Sequence, residues 1–349
     1  MTYNKNTIDS LLQEQFRGRV QRGEPLAAHS SAKAGGPADF FLELESIEEV
    51  ERLVSFCCQF RVPLLVIGNG SNILFADQSV RGIVACIRAK GYRLEKPSPN
   101  AALAILDAGM TWSEASEQLV RRGWSGLEFG AGIPGTLAGA VVTNAGAHNE
   151  EIGQHVHWVE VLDARGCNLE EEGSFSPPQR RRYTQGELGL GNRKSRFREQ
   201  RRAQISAAGH LVPAAARPLI APPEIILQVS VVVSRGDQYH IAQRQADARH
   251  QPQIDVFAGH IGPLFKDPSA HKASQLIEQA RRQARTQGKV QVSAHNANFL
   301  VNQAGATASE IASMIVEIHQ QVLTSFGIDL EVDLELYGDW DGSYGQGSR

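Results

Sequence analysis

The sequence predicts an α+β protein of more than one domain. Strand-like and helix-like stretches alternate irregularly, without the strict βαβ order of a parallel α/β protein. At ~100–200 residues per domain, a chain of 349 residues suggests two or three domains. Hydrophobic residues make up 42% and charged residues 21%, which supplies a core and excludes a disordered chain.

Phe40–Leu44 reads as a strand, and Ser46-Ile-Glu-Glu49 is a capping-box signature opening a helix to about Phe60. Leu64–Ile67 is a short apolar strand ended by Gly68-Asn-Gly70. Ile83–Ile87 and Ala102–Ala108 are further strands. Thr111-Trp-Ser-Glu114 is a second capping box, for a helix stopping near Gly123, and Val156–Asp163 is a strand that turns at Arg165-Gly166. Ser174–Pro223 is rich in proline, glutamine and arginine with little period, and 198–223 reads as an irregular insertion. Glu224–Ser234 is a β-branched strand, Tyr239–Arg249 and Ala273–Arg285 are helical, and Phe299–Asn302 is a short strand. Thr307-Ala-Ser-Glu310 caps a long helix with an apolar stripe of Ile311, Ile315, Ile318, Val322 and Phe326. Leu330–Tyr337 is a last strand, and the polar tail 341–349 is expected to be disordered.

Charge and cysteine usage exclude several classes. The formal net charge of −3 gives no bulk attraction to nucleic acid or an anionic membrane. No apolar run approaches the ~18–20 residues of a membrane helix, and Met1–Glu24 holds no signal-peptide core. Cys57, Cys58, Cys86 and Cys167 lack C-x-x-C spacing, so neither a zinc site nor a disulfide framework is expected, and no metal is assigned. A reducing cytoplasm fits this usage.

Two glycine loops carry the chemistry. Gly68-Asn-Gly-Ser-Asn72 follows a strand directly, where glycines admit a ligand close to the backbone and successive N–H groups form an anion nest. A tight turn is the plainer reading of this segment alone. It is neither a Walker loop nor G-x-G-x-x-G. Gly126–Gly146 sets glycines among small residues, a Pro134-Gly135 turn, Thr136 and Asn144. Close packing explains two or three of these glycines; a bulky planar ligand with a pyrophosphate explains the set.

These loops, with Gly35-Gly-Pro-Ala-Asp39, Arg193-Lys-Ser-Arg-Phe197, Phe265-Lys-Asp-Pro268, Ala297-Asn-Phe299 and Leu330–Gly338, occur in the order found in one family. The chain resembles the shorter form of the UDP-N-acetylenolpyruvoylglucosamine reductases over roughly 25–340. The resemblance implies a two-subdomain FAD-binding fold of the vanillyl-alcohol-oxidase type, plus a smaller α+β substrate-binding domain. It places subdomain 1 at 1–70 with 330–340, subdomain 2 at 71–236 and the substrate domain at 237–329. It implies FAD and NADPH as cofactors, a UDP-sugar substrate, and a cytoplasmic monomer working in peptidoglycan precursor synthesis without nucleic-acid or membrane partners.

Residue by residue, the resemblance implies FAD contacts from Gly68, Asn69, Gly70, Ser71 and Asn72. It adds Gly132, Ile133, Pro134, Gly135, Thr136, Gly139, Ala140, Asn144 and Gly146. Arg193 falls where the family keeps an arginine that stabilises the enolate through the substrate carboxylate. A guanidinium suits this because it stays charged and binds carboxylates through two N–H groups. The other basic residues of 179–202 read mostly as surface charges. Lys266, Asp267 and Asn296 fall in substrate-contacting segments. Asp267 takes the place of an asparagine and is expected to pair with Lys266.

The catalytic set departs from the family pattern. Ungapped alignment puts Pro263 on the family's proton-donating serine, and proline has no side-chain donor. An alignment with a short insertion makes His260 a substitute acid. Asp333 replaces the family's catalytic glutamate, one methylene shorter. Asn192 and Asn296 stand where tyrosine and histidine or glutamine are usual. Two alternatives keep FAD: a homologue that has lost the reaction for a regulatory or binding role, or a flavin oxidoreductase with another substrate.

Overall fold

The computed structural model describes residues 3–96, 98–168, 176–198, 201–214, 217–250, 259–281, 288–303 and 305–340. The expected tail at 341–349 lies outside these, as does the end of the expected helix beyond Arg281.

Helices begin where the caps are. Thr111 and Glu114 form a reciprocal capping box for Trp112–Val120, and Thr307 and Glu310 do the same for Ala308–Phe326. Ser46 caps Ile47–Phe60 through the Glu49 N–H, but the box is one-sided. The Glu49 carboxylate turns instead to Arg19 and the Glu45 N–H. Ile311, Ile315, Ile318 and Val322 are buried as the stripe predicts, whereas Phe326 at the helix end is exposed. The helix Lys5–Phe16 and strand Gln21–Pro25 escape a reading that looks only for apolar runs, because only Ile8, Leu12 and Phe16 of the helix are buried.

A five-stranded sheet orders Gln21–Pro25, Pro37–Leu44, Val80–Ile87, Leu64–Ile67 and Ile220–Ala221, with all pairs parallel except the first. Helix Ile47–Phe60 covers one face in the main hydrophobic core. A second, antiparallel sheet orders Gln179–Thr184, Val156–Asp163, Glu224–Arg235, Ala101–Asp107 and Tyr92–Glu95. The third unit packs strands His260–Ile261, Leu300–Asn302 and Val290–Val292 with helices Ala273–Arg281 and Ala308–Phe326 around its own core. The α+β class expected from the sequence is the class observed.

Boundaries shift from those expected. The first sheet runs on through Val80–Ile87, beyond residue 70, because this strand fills the place between Pro37–Leu44 and Leu64–Ile67. Helix Gln238–His250 belongs with the second sheet: Gln245 donates to Ser116 and Arg244 pairs with Glu128. The last strand is shorter than Leu330–Tyr337. Only Glu335–Tyr337 forms a strand, paired in parallel with Ile73–Phe75, while Leu330, Val332 and Leu334 fill the third unit's core.

The segment 198–223 is not an irregular insertion. It contains a two-stranded hairpin, Gln204–Ile205 with Leu211–Val212, and then the strand Ile220–Ala221 of the first sheet. Ala203 and Leu211 are buried in the third unit's core and Ile220 in the main core, so the segment joins the two. The cysteines also differ from expectation. Cys58 and Cys167 form a disulfide across 109 residues of sequence, and Cys57 and Cys86 are buried free thiols. Spacing along the chain carries no sign of a pair that only the packing of Ile47–Phe60 beside residue 167 creates. Among the described residues, no helix is long and apolar enough to cross a membrane.

Candidate active site

A cavity of about 690 Å³ lies where the two sheets and the third unit meet. That volume is within the usual range for a ligand pocket, ~300–1,000 Å³. Residues 68–72 and 132–136 form a glycine-rich wall, and Ile225 and Ile226 of the second sheet also line the cavity. Arg193, Arg201, Glu335 and the third unit's Pro263, Phe265 and Asn296 form a second, charged and apolar wall.

The glycine loops interlock. A Cβ on Gly68 would meet Thr136 Oγ1 at 2.6 Å, and one on Gly135, whose φ is +105°, would meet Ser71 Oγ at 2.9 Å. Gly70, at φ +62°, passes so close to His29 that a Cβ would lie 2.1 Å from its carbonyl oxygen. The loop is fastened by neighbouring elements. Gly68 O accepts from Cys86 Sγ, Gly70 O from Ser31 N and Asn72 O from Glu335 N, while Arg88 donates to Asn69 Oδ1 at 2.7 Å. The backbone N–H groups of residues 69–72 have no protein acceptor among the described residues. Asn72 Oδ1 is likewise buried without a partner. Free backbone donors beside Gly68, Gly70, Gly132 and Gly135, which carry no side chain, fit a diphosphate-bearing cofactor.

Packing explains more of Gly126–Gly146 than the sequence reading allowed. A Cβ on Gly130 would run into Trp112, and one on Gly146 into the Glu150 carbonyl. Gly132 to Thr136, Gly139, Ala140 and Gly146 line the cavity; Asn144 does not. Its left-handed backbone caps helix Leu137–Thr143, and its amide is used up by Glu151, the Gly191 carbonyl and the Gly153 N–H.

The charged residues are rearranged relative to expectation. Arg193 lines the cavity, at φ +51°, with its Nε 2.5 Å from Asp333 Oδ2. Asp333 itself is fully buried and lies behind the cavity wall. Arg198 is fully buried beside it, and Arg202 is nearly so, although both read as surface charges in the sequence. Burial pushes the Arg198 guanidinium down to about 10, against the pull of Asp333. Arg201 reaches the cavity and pairs with the buried Glu335 at 2.7 Å. Burial opposes its charge, but Glu335 and Tyr337 outweigh burial and raise its pKa. By contrast, Arg180, Arg181 and Arg182 are half-exposed on an edge strand, paired in turn with Glu51, Asp163 and Glu160.

Asp267 and Asn296 line the cavity, whereas Lys266 does not. Asp267 pairs with Lys272 at 2.8 Å rather than with Lys266, and it accepts from the Ala273 N–H at the start of a helix. Lys266 pairs with Glu331 instead. Pro263 lines the cavity, but His260 is buried in a strand opposite Val301 and does not. Asn298 holds the Phe265 backbone through both ends of its amide, 2.7 and 3.0 Å, which brings Phe265, Asn298 and Phe299 together in the cavity lining. Sequence reasoning missed Arg201, Glu335, His148 and His295 as lining residues. Nothing local distinguishes them from surface charges.

Fold and cavity together define a cofactor-binding body closed by a second domain, and comparison with known proteins agrees. The FAD binding domain family matches residues 38–170. The C-terminal domain family of UDP-N-acetylenolpyruvoylglucosamine reductase matches residues 251–337. The chain is 30% identical to the UDP-N-acetylenolpyruvoylglucosamine reductase of Heliobacterium modesticaldum, over 94% of this chain and 93% of that protein. It is 30% identical to that of Carboxydothermus hydrogenoformans, over 96% of this chain and all of that protein. The crystal structure of the enzyme from Thermus caldophilus superposes with a TM-score of 0.65 at 25% identity, covering 92% and 99% of the two chains. The chain belongs to the UDP-N-acetylenolpyruvoylglucosamine reductase family.

Proposed function

We propose that this chain is an FAD- and NADPH-dependent reductase. It converts UDP-N-acetylglucosamine enolpyruvate to UDP-N-acetylmuramate. One observation supports this above the others: the glycine-rich loops 68–72 and 132–136, with the N–H groups of 69–72 left free by the described residues, line the same cavity as Arg193. Bound FAD supplies hydride transfer from NADPH to the enolpyruvyl double bond. The N–H groups of 69–72 and the 132–136 loop would hold the cofactor's diphosphate, and Ile225 and Ile226 add apolar lining. Arg193 Nη1 and Nη2 bind the substrate carboxylate and stabilise negative charge as it develops there. Pro263 has no proton to give and His260 lies outside the cavity; the wall offers the imidazoles of His148 and His295 instead.

Anaerobic single-turnover spectroscopy tests this reading. The protein should carry an oxidised flavin spectrum, bleach with NADPH and recover its colour on addition of UDP-N-acetylglucosamine enolpyruvate. Flavin that bleaches but never recovers with that substrate refutes the substrate assignment.

A further inference from the structure

Arg193 is gripped at both ends. Its carbonyl oxygen accepts from Arg202 Nη2, and its Nε contacts Asp333 Oδ2 at 2.5 Å. Asp333 is itself immobilised. Its N–H donates to Leu264 O at 2.7 Å, and its carbonyl oxygen accepts from Asn72 Nδ2 at 2.8 Å and from Arg198 Nη2 at 2.6 Å. The same Arg198 nitrogen lies 2.8 Å from Oδ1 as an ion pair, its N–H directed at the carbonyl. Arg202 Nη1 bonds Glu331. A left-handed backbone at a non-glycine residue is costly and persists where its surroundings over-determine it; Arg193 is such a residue. Nη1 and Nη2 of Arg193 have no protein acceptor among the described residues. In this cluster the guanidiniums of Arg193, Arg198 and Arg202 and the Lys266 ammonium face two carboxylates, Glu331 and Asp333, so the cluster favours an incoming anion.

We propose that Asp333, Arg198 and Arg202 form a positioning unit that aims the Arg193 guanidinium into the cavity, with Asp333 serving as an anchor rather than as a proton donor. This rests on the reading that Arg193 meets the substrate carboxylate. Arg198 and Arg202 come from the start of the segment that the sequence presents as an insertion, and that segment then packs into two cores. A fork-shaped guanidinium is needed at both places, because each makes contacts in more than one direction.

The test separates the two half-reactions by stopped-flow absorbance in the full-length protein loaded with FAD. Flavin reduction by NADPH reports an intact fold and cofactor site; reoxidation by UDP-N-acetylglucosamine enolpyruvate reports the placement of Arg193. Arg202→Met and Asp333→Asn should slow reoxidation on the order of 10²-fold, the cost of a misplacement near 1 Å, with reduction within about twofold of the parent. Arg202→Lys, which keeps the charge but not the fork, should stay slow. The residual reoxidation of Asp333→Asn should keep the parent's pH profile. Loss of a limb of that profile overturns the anchor role and makes Asp333 a proton donor. Parent-like reoxidation in Arg202→Met also overturns the proposal. Arg198→Lys covers the case in which Arg198→Met fails to fold, and parent-like reoxidation there counts against the unit. If the parent's own flavin is never reoxidised, the reductase reading fails and the positioning role falls with it. If the parent turns over and the variants match it, only the positioning role falls.

Discussion

Gly68 to Asn72 and Gly132 to Thr136 form the glycine-rich wall of the cavity, with the N–H groups of 69–72 left free by the described residues. On the second wall, Arg193, Arg201 and Glu335 present charge, held by residues from 198 to 337. The first wall is made by two short stretches of chain whose residue types announce it, since few sequences need a glycine at so many close approaches. The second wall is made by single side chains drawn from distant places, each unremarked in its own neighbourhood. A backbone-built cradle tolerates change around it, because its donors do not depend on side-chain identity. A side-chain wall changes with every substitution, and here proline stands at the expected acid position and, behind the wall, aspartate at the expected glutamate.

The largest expected effect tests the cradle. Gly70→Val places a branched side chain where even a Cβ would lie 2.1 Å from the His29 carbonyl, and φ there is +62°. Purified protein should lack the flavin spectrum, and a fluorescence titration should show FAD affinity down by about 10²-fold or more, on the scale of several kcal/mol for a forced backbone shift. Full flavin occupancy would break the comparison, because the loop would then not be the cofactor's seat. Arg193→Met tests the second wall. Reoxidation of the reduced flavin by substrate should fall by about 10²–10³-fold, as for other lost electrostatic donors, with NADPH reduction little changed.

Stability measurements sharpen the contrast between buried and surface arginines. Arg198→Met leaves Asp333 buried with fewer counter-charges and should cost about 3–5 kcal/mol in urea unfolding. Arg181→Met removes a half-exposed pair and should cost less than about 1 kcal/mol. Equal costs would mean that burial does not separate the two groups.

Acid stability gives a smaller effect. The Arg165 guanidinium holds the Asp163 carboxyl below the usual carboxylate range, partly against the cost of burial, with help from Arg181. A depressed folded-state pKa contributes stability above the unfolded value, ~3.9, and this is lost as pH falls through the folded value. Asp163→Asn should therefore flatten the acid limb of stability below about pH 4, read by urea unfolding at stepped pH. The smallest effect is expected from His260→Gln, which should leave the overall rate within about twofold of the parent because His260 lies outside the cavity wall. A tenfold loss of turnover at intact flavin content would return it to the reaction.

Much of this protein is determined by its sequence alone. Thr111, Thr307 and Ser46 begin helices because a hydroxyl three residues before a backbone N–H completes a local bond. The stripe Ile311–Val322 selects the buried face of its helix by period alone. The glycine loops are legible because a left-handed turn or a close approach excludes other residues at that position. Only the tertiary structure decided that Arg198 and Arg202 are buried while Arg180 and Arg182 are not, since a guanidinium is buried only where carboxylates and carbonyls from elsewhere converge on it. Asp333 lies 140 residues from Arg193, and Cys58 lies 109 from Cys167. Such pairs exist only when the sheets and the third unit close around them, and no period or spacing along the chain encodes that meeting.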